Sequence, residues 1–225
     1  MKFIGTIATD FSGSIGGITA SRNRGGGYFR QRVVPVNPNT FRQSLIRTIF
    51  QDLQSTWTNI LTPGARLAWD NYSLQTPGFV GGGMQAYIAM NTPRIYADTL
   101  FASTLGRIDV APLIFDSGSF TPIVPTTTAP SAISLAYTNT DSWAIADGGA
   151  LYISAGAAVN ASRTNYFGRY HMIGVVEGAV VPPVSPEAAV SDLPFLAGQQ
   201  IFVSVRASQP DGRLSAPQRY PTIAL

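Results

Sequence analysis

The hydrophobic period changes within this chain, from helical over residues 37–105 to alternating after residue 130, and a proline- and threonine-rich stretch lies between. A residue repeating every three to four positions makes a stripe on a helix, whereas strict alternation fills one face of a strand. One segment cannot satisfy both patterns. The chain is therefore expected to be α+β, with a small helical domain over 37–105, a linker over 106–130 and an antiparallel β-sandwich over 131–225.

The helical part has clear boundaries. Thr40 and Gln43 have capping-box spacing, in which each side chain satisfies an orphan backbone N–H. Leu45, Ile46, Ile49, Phe50, Leu53, Trp57, Ile60 and Leu61 then recur at helical spacing. Thr62-Pro63 starts a second helix, since proline at the first helical position gives up an N–H that has no partner there. That helix carries Leu67, Ala68, Trp69 and Tyr72 and ends near Pro77-Gly78. After Gly81-Gly82-Gly83 a third runs from Met84 to Leu100, where Pro93 is expected to kink or divide it.

Beyond Pro130, strand-like runs occur at Ile133–Tyr137, Trp143-Ala144-Ile145, Leu151-Tyr152-Ile153, Tyr166–Val176 and Ile201–Arg206. Asp147-Gly148-Gly149 and Asp211-Gly212 supply turns between them. At the other end, residues 1–36 set short β-prone stretches between glycines, which predicts a basic arm or hairpins with too few bulky side chains for a core of its own.

Two resemblances follow from these segments. Gly198–Ala207 with Asp211–Pro217 resembles the last hairpin of a fibronectin type III or immunoglobulin-like module, a likeness that covers residues 126–225 and gives Trp143 the place of the early-strand tryptophan. Phe11–Thr19, Gly27-Tyr-Phe-Arg30, Pro35–Thr40 and Leu61–Trp69 resemble uncharacterised proteins of phage and prophage genomes, over residues 5–95. The joined arrangement is similar to surface-decorating proteins of phage heads and tails. The resemblance carries no catalytic residue.

Charge is sparse and uneven. Only 12% of residues are charged, against about 25% in ordinary globular chains. Such a surface suits a chain packed against neighbours. Met1–Arg66 holds eight bases and two acids, +6, and the remainder seven bases and ten acids, −3. Arg22, Arg24, Tyr28, Phe29, Arg30 and Arg32 form the densest basic and aromatic cluster. Charge with aromatic stacking can hold single-stranded nucleic acid, but one cluster is thin for that task, and anchoring to an acidic protein lattice fits better. With no cysteine, disulfides and thiolate metal ligands are excluded. Asp10 interrupts the leading apolar residues, so no signal peptide is expected, nor is any apolar run long enough for a membrane span.

Little points to catalysis. His171 is the single histidine, in a strand-like run, where packing or surface roles are commonest. Ser14 and Ser119 lie near glycines without the flanks of a nucleophile elbow, and no Gly-Lys-Ser/Thr follows the glycines near Ser14. Asp141, Asp147, Asp192 and Asp211 could pair as acid and base, but acids beside glycine are ordinarily turn formers. Trp143, Tyr152, Tyr166 and Tyr170 could stack on host-surface glycans, or fill the core. The reading is a non-enzymatic structural subunit of a bacteriophage virion with no catalytic residue, cofactor or metal. Capsid decoration or cement is the first choice, and a tail, neck or baseplate protein or a glycan-binding surface module the alternatives. Its partners would be other virion proteins and further copies of itself, its place the virion, and its site of synthesis the host cytoplasm.

Overall fold

The computed structural model describes residues 13–113, 118, 120, 121, 123–128, 130–190 and 193–225. Readings made on residues 1–12, Ser119 and Asp192 lie outside these. The protein is α+β, with three helices and several antiparallel sheets among the described residues. It divides into two compact units, Met1–Thr40 and Phe41–Leu225.

The first unit holds strands β1 (Gly13–Ile15), β2 (Ile18–Asn23) and β3 (Gly26–Gln31), paired antiparallel in that order. Ile15 pairs with Ile18 and Asn23 with Gly26, so both hairpins turn on two residues. Positive φ is supplied within the first turn by Gly16 at +56° and just after the second by Gly26 at +105°. Paired residues share a face and neighbours alternate. One face therefore carries Ser14, Thr19, Ser21, Tyr28 and Arg30, and the other Ile18, Ala20, Arg22 and Phe29. The Ser14 and Thr19 hydroxyls meet at 2.9 Å on the polar face.

The second unit opens with α1 (Phe41–Asn59), α2 (Pro63–Gln75) and α3 (Gly83–Phe101). The Ala65 N–H donates to the Thr62 hydroxyl at 3.2 Å, and Pro63 takes the first helical position. Ile49, Leu53, Leu61, Trp69, Tyr72, Tyr87 and Met90 form the helical core. Trp69 is fully enclosed, edge-on to Tyr72 at 5.9 Å and Tyr87 at 5.5 Å, and its indole N–H donates to the Asp109 carbonyl at 3.1 Å. α3 runs through Pro93 as a single element.

Helices α2 and α3 approach closely at Gly83. A methyl group there would come within 2.5 Å of the Asp70 backbone nitrogen and carboxylate and 2.7 Å of the Trp69 carbonyl carbon. The Gly83 N–H also donates to that carboxylate at 2.9 Å. Gly83→Ala should therefore lower stability by about 1–3 kcal/mol in urea titration, overpacking prevailing over the gain in helix propensity. An unchanged midpoint would show that the helices can part.

The strands that follow are β4 (Val124–Thr128), β5 (Ala132–Ala136), β6 (Ala150–Ala155), β7 (His171–Glu177), β8 (Glu187–Val190), β9 (Gln200–Ser208) and β10 (Gln218–Ile223). They form a four-stranded sheet, β10-β9-β6-β7, and a three-stranded sheet, β4-β5-β8, each antiparallel. Ile133 and Leu135 of β5 share one core with Leu151, Ile153, Ile201, Val203 and Val205 of β6 and β9. The opposite face of β6 presents Ala150 and Tyr152 to Ala97 and Phe101 of α3. The four-stranded sheet is thus a middle layer, which is why β6 and β9 are buried on both faces.

Several elements differ from the sequence reading. β4 falls inside the stretch read as linker, because Ile123 enters the core and Val124–Thr128 pairs with β5 along its length. Trp143-Ala144-Ile145 is a turn instead of a strand, closed by the Ala144 and Ile145 N–H groups donating to the Asp141 carbonyl. In the run Tyr166–Val176 the strand begins only at His171.

One buried charge holds the layers in register. Arg94 of α3 is 2% exposed and donates to the carbonyls of Gly106 at 2.9 Å, Gly148 at 3.0 Å and Leu105. The exit from α3 is fixed in turn by Asp98, which accepts from the Ser103 hydroxyl and the Leu105 and Gly106 amides at 2.6–3.0 Å. Burial lowers the Arg94 pKa from its ordinary value, yet a guanidinium stays protonated.

Candidate interaction surfaces

The arginine cluster lies on the three-stranded sheet. Arg22 stands opposite Gly27 near the β2–β3 turn, Arg24 is in that turn, Arg30 stands opposite Thr19, and the Arg32 N–H donates to the Gly17 carbonyl at 2.7 Å. The two pairs occupy opposite ends of the sheet, on the order of 10 Å apart at the usual strand rise. All four are exposed. Residues 13–40 contain no acidic side chain. Between the arginines, Ile18 is 55% and Phe29 40% exposed on the face that also carries Arg22, while Tyr28 is half-buried on the other. An arginine beside exposed apolar groups, as Arg22 is beside Ile18 and Phe29, suits a protein-binding surface.

The aromatic candidates separate into two pairs. Trp143 is fully buried, 5.4 Å from Tyr137, and Tyr152 is 3% exposed beneath α3, with its hydroxyl pushed up to about 12 by burial. Neither has a face to offer a sugar. Tyr166 and Tyr170 are half-buried and edge-on at 5.1 Å, and Tyr166 stacks on Phe202 at 5.6 Å. The Tyr166 hydroxyl accepts from the Ala157 N–H at 2.8 Å and donates to the Arg169 carbonyl at 3.1 Å. Its ring passes so close to Gly156 and Gly168 that a methyl group on either would come within 2.5 Å. Tyr166 thus ties down its own loop, and Arg219 covers Tyr170 at 5.5 Å.

The acids brace turns. Asp141 is buried and accepts from the Thr121 N–H and hydroxyl, both at 2.7 Å. Asp147 accepts from the Val180 N–H at 3.1 Å, and Asp211 pairs with Arg213 at 2.7 Å. His171 opens β7 with its Nδ1 3.4 Å from an Arg42 nitrogen. Among the described residues no three acids or histidines gather as a metal site, and no helix is long and apolar enough to cross a membrane.

A second surface was missed in the sequence reading. Between β7 and β8, Val180, Val181 and Val184 are 76%, 82% and 80% exposed. The loop is nonetheless pinned at both ends. The Ala179 N–H donates to the Ala144 carbonyl at 3.0 Å, and the Tyr137 hydroxyl and N–H bond the Val184 carbonyl and Ser185 hydroxyl at 3.0 and 2.9 Å. Exposed Asp147 and Glu187 flank it. The available signal was Val-Val-Pro-Pro-Val, since consecutive prolines cannot donate to a strand ladder and leave their apolar neighbours outside it.

No known protein family matches the chain, and no curated protein matches it in sequence.

Proposed function

We propose that this chain is a structural subunit of a bacteriophage particle, with capsid decoration or cement as the first choice. In this reading the two β-sheets of Phe41–Leu225 form an immunoglobulin-like sandwich carried outward, and the basic sheet fastens the subunit to the lattice. The observation that carries the reading is that a separate small unit, without an acid over residues 13–40, exposes Arg22, Arg24, Arg30 and Arg32, and also exposes Ile18 and Phe29 on the face of Arg22. Arginine there can make charge-assisted hydrogen bonds to carboxylates while the apolar groups lose contact with water. The sequence resemblance over residues 5–95 points the same way.

The test is incorporation into particles. A tagged full-length chain with Arg22, Arg24, Arg30 and Arg32 all changed to glutamate should fall at least about tenfold in particle-bound copies, a loss of about 1.4 kcal/mol or more. Its thermal unfolding should match the parent. Equal incorporation of the variant, or absence of the parent chain from purified particles by mass spectrometry, would reject the reading. Copy number per particle separates a head lattice from a tail, neck or baseplate position.

A further inference from the structure

We propose that the neighbour gripped by the basic sheet is a second copy of this chain, held at its Val180–Val184 loop. The inference rests on the reading of the chain as an assembly subunit and gives that subunit a partner. The argument is charge complementarity around matched apolar centres. On one side stand Ile18 and Phe29 on the sheet face that carries Arg22, with Arg24 in the adjoining turn and no acid in residues 13–40. On the other stand Val180, Val181 and Val184, with Ile145 half exposed next to the turn that anchors the loop.

The rim of the second surface has the opposite sign. Asp147 holds one end of the loop through the Val180 N–H, and Glu187 lies at the other, opposite Leu135 in the β5–β8 register. No lysine or arginine occurs over residues 137–147 or 177–187, which hold the loop and its anchors. Opposite rims steer two surfaces together and fix their orientation, and the apolar centres supply the area to bury.

A nucleic acid partner is less well served. Phosphates would meet the arginines but leave Ile18 and the valine loop exposed. A loop fixed at both ends also pays little ordering entropy when it docks. Because the two surfaces differ, the contact is head-to-tail and one copy can grip the next indefinitely, giving a ring or a filament.

Sedimentation velocity of the chain tests this with two variants, Arg22→Glu/Arg24→Glu and Val181→Asp/Glu187→Lys. Both change exposed side chains, and circular dichroism checks their folds. The parent should pass from monomer to species larger than a dimer as concentration rises from about 5 to 200 μM in low salt, and should dissociate at high salt, where surface charges are screened. Each variant alone should remain monomeric. Mixed together, they should stop at a one-to-one dimer, because each supplies the surface the other lacks.

A parent that stays monomeric at the highest concentration, a loop variant that assembles like the parent, or a mixture that forms no dimer would each overturn the self-contact. So would an arginine-dependent shift of duplex DNA with no self-association. The two readings fail separately. A monomeric chain that enters particles through its arginines retains the virion reading without the self-contact, and a chain that polymerises but is absent from particles does the reverse.

Discussion

Arg94→Met should lower the stability of the protein by about 3–5 kcal/mol, although it changes a helix residue with no acid directly bonded to it. The guanidinium is 2% exposed and reaches the carbonyls of Leu105, Gly106 and Gly148. Methionine fills much of the same space and donates nothing. Three carbonyls are then left without this donor in a place where water enters poorly, each at a cost of about 1–3 kcal/mol if it finds no substitute. The loss also unties α3 from the turn that includes Gly148. Arg94→Lys should recover only part of the difference, because an ammonium is a point charge and does not bridge three acceptors with a fixed fork. Urea unfolding followed by tryptophan fluorescence and circular dichroism measures both variants. A loss below about 1 kcal/mol for methionine would mean that the carbonyls find other donors.

Trp143→Ala is expected to cost a similar amount, about 3–5 kcal/mol, through the cavity left in the β-sheet core. Trp143 is fully buried against Tyr137, and its own carbonyl is the point on which two chain segments close. A methyl group on Gly149 would come within 2.0 Å of that oxygen, and one on Gly178 within 1.9 Å. The indole therefore supports a junction of three backbone stretches. Trp143→Phe should restore most of the stability, since it retains much of the apolar volume and removes an indole N–H that has no hydrogen-bond partner. The pair also bears on glycan recognition. A stacking tryptophan would lose sugar binding on substitution and keep its fold, whereas here the fold should weaken first. A Trp143→Ala protein that unfolds at the parent's urea midpoint would contradict the packing described.

The helices were legible because local and tertiary signals agree. Thr62 and Pro63 begin α2 where capping chemistry places them, and the periodic residues Ile49, Leu53, Trp69 and Tyr72 all enter one core. Ile133, Leu135, Ile201, Val203 and Val205 likewise point inward as alternation requires. Phe202 did not fit a strand with one wet face, and it is buried with the Tyr166 ring stacked on it. Trp143 misled for a related reason, since three apolar residues in a row look like a strand whether they lie in one or in a buried turn.

Arg94 was silent in the sequence. A basic residue within a helix ordinarily faces water, and only the folded positions of Gly106 and Gly148 make it a buried clamp. The candidate surfaces were half legible. The arginine-rich hairpin could be read from composition, but the valine loop acquires meaning only when Ala144, Asp147 and Tyr137 hold it still.

The body over Phe41–Leu225 has its four-stranded sheet as the shared floor of two rooms, with the helices on one side and the other sheet on the other. Neither side can be stripped off without wetting that floor, so the piece should resist a steady pull as a block up to a single yield point. Such all-or-nothing failure follows from two layers that share one apolar floor.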